Sequence, residues 1–205
     1  MPAKSGTIRL ERLEDAEIGV PIVGVTPLIP HKWSEKALRM MREAQSGQKL
    51  KQKREPKDPK ADAEAATYWL ADGRPGMPAT AFKAAMVEGC RFFEAPSMTE
   101  AKRMLFVVGE GQEQLIPIEG EKALREDTPR NATGVADLRY RYSFFPWSAL
   151  ISIRFPIKIL TAESVIALLD AGGRSGVGDW RPGSPKSHTG TFGQFRVNDE
   201  AGEEG

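Results

Sequence analysis

Cysteine and histidine are scarce in this chain of 205 residues, which has one cysteine, Cys90, and two histidines, His31 and His188. A single cysteine cannot form an internal disulfide, and these residues are too few for a zinc site, which usually takes about four ligands. Long apolar runs are also missing, and those present, such as Met104–Val108, fall far short of the ~20 residues that span a bilayer. The first residues lack the apolar core of a secretory signal. We therefore expect a cytoplasmic protein with no metal, no cofactor and no membrane contact.

A strong net charge is missing too, because 29 Lys and Arg face 28 Asp and Glu, for a net charge of +1. This balance excludes a uniformly basic protein that coats nucleic acid by bulk charge. Locally, however, residues 32–60 carry +6, residues 139–158 carry +4 and residues 172–198 carry +3. These stretches form a basic face if they converge in space, whereas most charge runs are solvated surface. Both interpretations stay open at this point.

Enough apolar material is present for a folded core, since 40% of the residues are hydrophobic. The length suits a single domain over residues 1–205. Apolar spacing, caps and glycine breaks predict strands at 22–29, 104–108, 114–118, 138–144, 149–159 and 190–197. They predict helices at 34–45, 61–70, from Pro78 onward, and from Thr161 to Gly172-Gly173. Strands 104–108 and 114–118 read as a hairpin.

This order predicts an α+β, ferredoxin-like fold with an insertion after the first strand. Residues 34–76 form the insertion, a basic helical finger, and residues 198–205 are predicted to be an acidic disordered tail. Along strand 138–144, Arg139 and Arg141 alternate with Tyr140 and Tyr142, which predicts one basic and one aromatic face. The tyrosines are expected in the core rather than as stacking platforms for bases.

Glycine is concentrated in residues 172–193, which hold seven of the 20 glycines in the chain. Glycines let a backbone approach a ligand closely and expose its N–H groups, and Arg174, Arg181 and Lys186 add charge for phosphates. The stretch therefore suggests a phosphate clamp, although a glycine-rich hairpin with Trp180 filling a gap in the core is the alternative. It is not a Walker A loop, because no Gly-Lys-Ser/Thr closes it.

Three features together resemble the RAMP superfamily (repeat-associated mysterious proteins), which includes backbone subunits of CRISPR effector complexes. They are the strand running into Thr26-Pro27-Leu28-Ile29, the helix entry Pro78-Ala-Thr-Ala-Phe-Lys83-Ala-Ala-Met86, and the loop Gly172–Gly178. Val87 stands where the family often has arginine. The continuation to Phe192-Gly-Gln-Phe195 looks most like phage-encoded relatives. The resemblance implies a modified RNA-recognition-motif core with an inserted thumb and a C-terminal glycine-rich loop, which assembles head-to-tail along single-stranded nucleic acid.

The residues fit binding to a sugar-phosphate backbone, which needs cations along the phosphates. The expected partners are single-stranded RNA or ssDNA and further copies of this chain. The residues expected to bind nucleic acid are Lys49, Lys51, Lys53, Arg54, Lys83, Arg91, Arg139, Arg141, Gly173, Arg174, Gly176, Gly178, Arg181 and Lys186.

Catalysis finds little support in the sequence. The loop after the first strand reads Pro30-His-Lys-Trp-Ser34, without the acid that some cleaving relatives carry there. His31 has no visible partner, and Asp179 is expected to make only a local salt bridge or turn bond. We therefore expect a non-catalytic RNA-favouring binder, with a phage assembly protein and a metal-dependent ribonuclease as the two alternatives.

Overall fold

The computed structural model describes residues 11–33, 35–47, 58–129, 138–185 and 189–198. This part of the chain mixes helices with antiparallel sheets, which confirms the α+β prediction. The strands are β1 (Asp15–Gly24), β2 (Tyr68–Trp69), β3 (Pro75–Pro78), β4 (Phe106–Val108), β5 (Leu115–Pro117), β6 (Glu119–Asp127), β7 (Arg139–Pro156) and β8 (Phe195–Val197). The helices are α1 (Glu35–Gln45), α2 (Pro59–Ala65), α3 (Ala79–Gly89), α4 (Met98–Met104) and α5 (Ala162–Ser175), and a short 3-10 helix, Cys90–Phe92, follows α3.

The larger sheet has the strand order β4-β7-β1-β8, and β6 pairs with the first half of β7. All of these pairings are antiparallel. Val20 lies opposite Ile151 and Ile22 opposite Ala149, and all four side chains are buried. Since strand side chains alternate between faces, every second residue of β1 and β7 enters the core beneath α3 and α5.

Helices α3 and α5 cross closely because glycine faces glycine at their contact. A Cβ on Gly89 would lie 2.8 Å from the carbonyl oxygen of Leu168, and one on Gly172 would lie 2.7 Å from the carbonyl of Ala85. The prediction that α5 ends at Gly172-Gly173 is wrong: the helix runs to Ser175 and ends at Gly176, whose φ of +68° suits a C-cap. The paired glycines serve helix packing, which outweighs their tendency to break helices.

The predicted hairpin of strands 104–108 and 114–118 is also wrong. Residues 98–104 are helical, β4 pairs with β7, and β5 joins a separate sheet of order β2-β3-β5. An isolated bridge between Glu110 and Leu115 closes the glycine turn. Strand β4 pairs instead with the long, apolar β7, where Val107 lies opposite the buried Ile153.

Several predicted boundaries move, and the last strand, predicted over 190–197, is only β8 (Phe195–Val197). The first strand is Asp15–Gly24, and within the predicted continuation Leu28 forms an isolated bridge to Phe144. Strands 138–144 and 149–159 are one continuous strand, β7. The helix predicted to Leu70 ends at Ala65, where Thr67 turns its hydroxyl back onto the carbonyl of Ala63 and the chain enters β2. The predicted insertion thus contains α1, α2 and β2.

Candidate functional site

The glycine segment, defined here as the described residues of Gly176–Gly193, is fastened to the loop that follows β1. The amide of Asp179 donates to the carbonyl of Ile29 at 2.8 Å, and the amide of Gly193 donates to Pro27 at 2.8 Å. A Cβ on Gly178 (φ +80°) would lie 2.6 Å from the Ile29 carbonyl oxygen. At these positions the close approach that glycine permits is made to the protein's own backbone.

Of the glycines predicted to bind nucleic acid, Gly173 lies inside α5, where a Cβ would lie 2.0 Å from the carbonyl oxygen of Phe195. It is therefore a packing residue of the α5–β8 contact. Gly176 and Gly178 line a groove described below. The glycine-rich composition thus combines two roles, packing between elements and shaping a surface.

Arg141 is the largest departure from the predicted basic strand face, since only 2% of this residue is exposed. Its guanidinium bonds Asp179 and lies 3.3 Å from Asp127, and it stacks over the Trp180 ring at 4.6 Å. Its Nε is buried without a hydrogen-bond partner in the described part of the chain. A side chain held in this way has no surface to offer a phosphate.

Asp179 connects three distant segments rather than making only a local bond. Its Oδ2 accepts from Arg141 and lies 3.2 Å from Nδ1 of His31, while its Oδ1 accepts from the amide of Trp180 at 3.2 Å. Burial alone would raise the pKa of Asp179, but the hydrogen bond from His31 and the charge of Arg141 outweigh it and lower the pKa to about 2. The group is a carboxylate throughout the physiological range.

Trp180 contacts two guanidinium groups. Arg125 lies 5.5 Å from its ring and also bonds Asp127 through Nε at 2.8 Å, while Arg141 lies over the ring at 4.6 Å. Phe192 packs beside it, with ring centroids 5.9 Å apart. Cation–π contacts of partly buried arginines contribute about 0.5–2 kcal/mol each, so this side of the glycine segment is fixed to β6 and β7.

Tyr142 lies on the other face of β7, as the core interpretation predicts, and its hydroxyl donates to Glu64 at 2.9 Å. Burial, and then the hydrogen bond and charge of Glu64, raise the pKa of Tyr142. The tyrosine is thereby engaged in the contact between α2 and β7.

The opposite side of the glycine segment borders a groove along α3, here called the α3 groove. It consists of two cavities of about 310 Å³ and 440 Å³ that share Thr80, Ala84 and Arg181 in their walls. The smaller cavity is also lined by His31, Tyr68, Gly178 and Asp179, and the larger one by Lys83, Lys102, Ser175 and Gly176.

Hydrogen-bond donors dominate the polar wall of this groove. Arg181 donates to the carbonyl of Gly178 at 2.9 Å, which fixes its guanidinium at the boundary of the two cavities. Lys83 lies over the Phe106 ring at 4.7 Å. Pro78 precedes the first turn of α3 and makes no side-chain cap, so the start of the helix adds backbone donors. Of the acids in the wall, Glu88 is paired with Arg91 at 2.7 Å and Asp179 with His31 and Arg141.

The structure therefore brings together Lys83, Gly176, Gly178 and Arg181 of the predicted binding residues. Arg91 and Arg174 do not line the α3 groove; Arg91 pairs with Glu88, and Arg174 lies 6.0 Å over the Phe92 ring. Arg139 stands opposite Asp127 in the β6–β7 ladder. Other predicted residues lie outside the described part of the chain, namely Lys49, Lys51, Lys53, Arg54 and Lys186, as do residues 199–205 of the predicted tail.

Thr80, Lys102 and Tyr68 are groove residues that the sequence patterns do not mark. Lys102 lies on α4, in a stretch predicted to lead into a strand, and it reaches the groove only because α4 packs beside α3. His31 and Asp179 lie far apart in the sequence, and their pairing follows from the bond between the glycine segment and Ile29. No residue spacing in the sequence predicts that Lys102 reaches the groove or that His31 pairs with Asp179.

Within the described ranges, no group of three or more His, Cys, Asp and Glu side chains could hold a metal ion. The helices found there are too short or too polar to cross a membrane.

No protein-family model matches the chain, and no curated protein matches it. Among solved structures, it is similar to Cmr6 from Pyrococcus furiosus, with 10% identity and a TM-score of 0.41 over 91% of this chain and 100% of that one. It is also similar to a chain in the cryo-EM structure of the Type III-B Cmr-beta bound to cognate target RNA, with 9% identity and a TM-score of 0.45 over 90% of this chain and 59% of that one. At identities this low, no residue role is carried over from either structure to this chain.

Proposed function

We propose that this protein binds single-stranded nucleic acid, RNA in preference to ssDNA, through the sugar-phosphate backbone seated in the α3 groove. The observation that carries the proposal is the convergence of Lys83, Lys102 and Arg181 on one groove whose acids already have basic partners. Cations left without a nearby acid attract phosphate, and contacts to phosphate are independent of base sequence. Arg141, which is buried, takes no part in the proposed interface.

We further propose that the core is ferredoxin-like and that the domain is RAMP-like. The chain order β1, α3, β4, β7, α5, β8 and the sheet order β4-β7-β1-β8 support the ferredoxin-like assignment. The sequence resemblance at residues 26–29, 78–86 and 172–178 supports the RAMP-like assignment. The segments 26–29 and 176–178 contact each other, since the amide of Asp179 bonds Ile29 and the Gly178 backbone approaches it.

The binding is proposed to be non-catalytic. Hydrolysis or transesterification at a phosphate needs a base and an acid that both reach the reacting atoms, and among the described groove residues His31 could serve as one of the two alone. Asp179 is committed to His31 and Arg141, and its lowered pKa makes it a poor base. Glu88 is engaged with Arg91.

Head-to-tail assembly of copies along the strand is also part of the proposal. The exposed strand β6 presents Glu119, Glu121 and Glu126. An acidic edge on one copy and the basic groove on another are electrostatically complementary. Sedimentation after nuclease treatment, and again with an added oligonucleotide, tests whether assembly depends on nucleic acid.

The binding proposal is tested by fluorescence anisotropy with single-stranded RNA and DNA of mixed sequence across a salt series starting at ~50 mM, where phosphate-driven affinity is strongest. The double variant Lys83→Gln, Arg181→Gln should bind all sequences more weakly. The slope of log affinity against log salt should flatten by about 1.4, which corresponds to two lost phosphate contacts on a single strand.

The matched control is Arg154→Gln, Lys158→Gln, which removes the same charge from side chains that line neither cavity of the groove. Its salt slope should equal that of the unmodified protein. No binding at ~50 mM salt, or an equal loss of slope in the two double variants, contradicts the proposal.

A further inference from the structure

His31 is held in one orientation at the wall of the α3 groove. Its Nδ1 lies 3.2 Å from Oδ2 of Asp179, its ring packs 5.8 Å from that of Trp33, and its carbonyl accepts from the hydroxyl of Tyr68 at 3.4 Å. The side chain is 34% exposed and lines the smaller cavity. It is therefore positioned by three neighbours and still reachable by a ligand.

The partner on Nδ1 determines what the other ring nitrogen can do. A carboxylate only accepts hydrogen bonds, so the nitrogen that faces Asp179 carries the proton. In the neutral imidazole this leaves Nε2 as an acceptor. Among the described residues, Nε2 has no hydrogen-bond partner. The smaller cavity therefore contains a fixed, unused acceptor.

This acceptor contrasts with the donors around it. Arg181, shared by both cavities, and Lys83 and Lys102 in the larger one can only donate, and each suits a phosphate oxygen. A DNA sugar-phosphate backbone consists of acceptors alone and offers Nε2 nothing to accept. An RNA backbone adds one donor per nucleotide, the ribose 2′-hydroxyl.

We propose that Nε2 of His31 accepts a hydrogen bond from a ribose 2′-hydroxyl, which makes His31 the residue that selects RNA over ssDNA. Asp179 is the positioning residue, because it fixes the tautomer, and Arg141 holds Asp179 in place from the buried side. The proposal rests on the binding function proposed for the α3 groove and names the feature of the strand that the groove distinguishes.

The test compares three oligonucleotides of one sequence that carry 2′-hydroxyl, 2′-fluoro or 2′-hydrogen at every sugar. The 2′-fluoro strand keeps an RNA-like sugar but has no 2′ donor, so it separates the hydrogen bond from backbone shape. The unmodified protein should bind the 2′-hydroxyl strand about five- to tenfold more tightly than the 2′-fluoro strand, the ratio expected for one net hydrogen bond.

His31→Ala should bind the 2′-hydroxyl and 2′-fluoro strands equally and should bind the 2′-fluoro strand as the unmodified protein does. His31→Gln, whose side-chain carbonyl can accept in place of Nε2, should keep part of the preference and covers the case in which His31→Ala folds poorly. A preference that survives in His31→Ala overturns the proposal.

Equal binding of the 2′-hydroxyl and 2′-fluoro strands by the unmodified protein overturns the role of His31 and leaves the binding function standing. Binding of none of the three strands overturns both. A His31-dependent difference that follows base identity in homopolymers, rather than the 2′ group, would identify a base contact and also overturns the proposal.

Discussion

The two sides of the glycine segment differ in how their arginines are used. Toward β6 and β7, Arg141 and Arg125 are matched by Asp127 and Asp179, and both contact Trp180. Toward α3, Arg181 bonds, among the described residues, only a carbonyl of its own segment and borders an open groove. The same residue type thus anchors the segment on one side and is available to a ligand on the other, according to where carboxylates meet it.

This difference gives each side its own measurable property. Changes on the sheet side should reduce the free energy of unfolding, whereas changes on the groove side should reduce affinity. A substitution that lowers both the free energy of unfolding and the affinity would show that anchoring and binding are not separate.

The largest effect is expected for Arg141→Met, which roughly keeps the volume but leaves the partly buried Asp179 without a guanidinium and Asp127 with that of Arg125 alone. Removing one partner of a buried ion pair costs about 3–5 kcal/mol, and urea denaturation should show a loss of that size. Arg154→Met is the control, because Arg154 is half exposed and lies 3.8 Å from Asp15. It should lose no more than about 0.5 kcal/mol. A loss of unfolding free energy below about 1 kcal/mol in Arg141→Met would mean that the ion pairs of Arg141 do not hold the glycine segment to the sheet.

A smaller loss is expected for Gly193→Ala, which tests the packing of the segment against itself. Gly193 has φ +66°, and a Cβ would lie 1.8 Å from the carbonyl oxygen of Val177. Gly111 has φ +65° with nothing within 4 Å, so Gly111→Ala reports the left-handed strain alone. We expect the free energy of unfolding to fall by about 3 kcal/mol in Gly193→Ala and by about 1 kcal/mol in Gly111→Ala, as measured by urea denaturation. Equal losses in the two variants would contradict the packing role.

The third effect depends on pH and concerns Asp179, which bonds Arg141 on the sheet side and His31 on the groove side. Its pKa is about 2 in the folded protein against 3.8 ordinarily, so its carboxylate stabilises the fold above about pH 4. This contribution is lost as the pH falls from about 4 to about 2. Asp179→Asn should be less stable than the unmodified protein by about 2 kcal/mol near pH 6. The two free energies of unfolding should converge near pH 2, and parallel pH curves would rule out this role.

Local patterns predict much of the fold, and long-range contacts account for most of the differences. The alternation of Arg141 and Tyr142 predicts a strand there, and Thr161 predicts the start of α5, because strand periodicity and helix capping are local properties. That Arg141 meets Asp179 depends on how α5 returns the chain across β7, and nothing near either residue encodes it.

The candidate site shows the same division. Lys83 and Arg181 stand out by charge and glycine context, and both line the groove. Gly173 stands out equally by composition, but its role depends on the Phe195 backbone that packs against it. A glycine marks a close approach, and only the fold shows whether a ligand or the chain itself makes that approach.

The α3 groove draws its walls from His31, Tyr68, helix α3, Lys102 and the residues around Gly176, so it exists only when segments far apart in the chain have met. Such contacts carry a high loop-closure cost, and they form late in folding more often than local ones. A partly folded chain has its basic residues but lacks their convergence. Under the proposed function, binding of a single strand would therefore report completion of the fold, and nascent or truncated chains would be kept from occupying RNA.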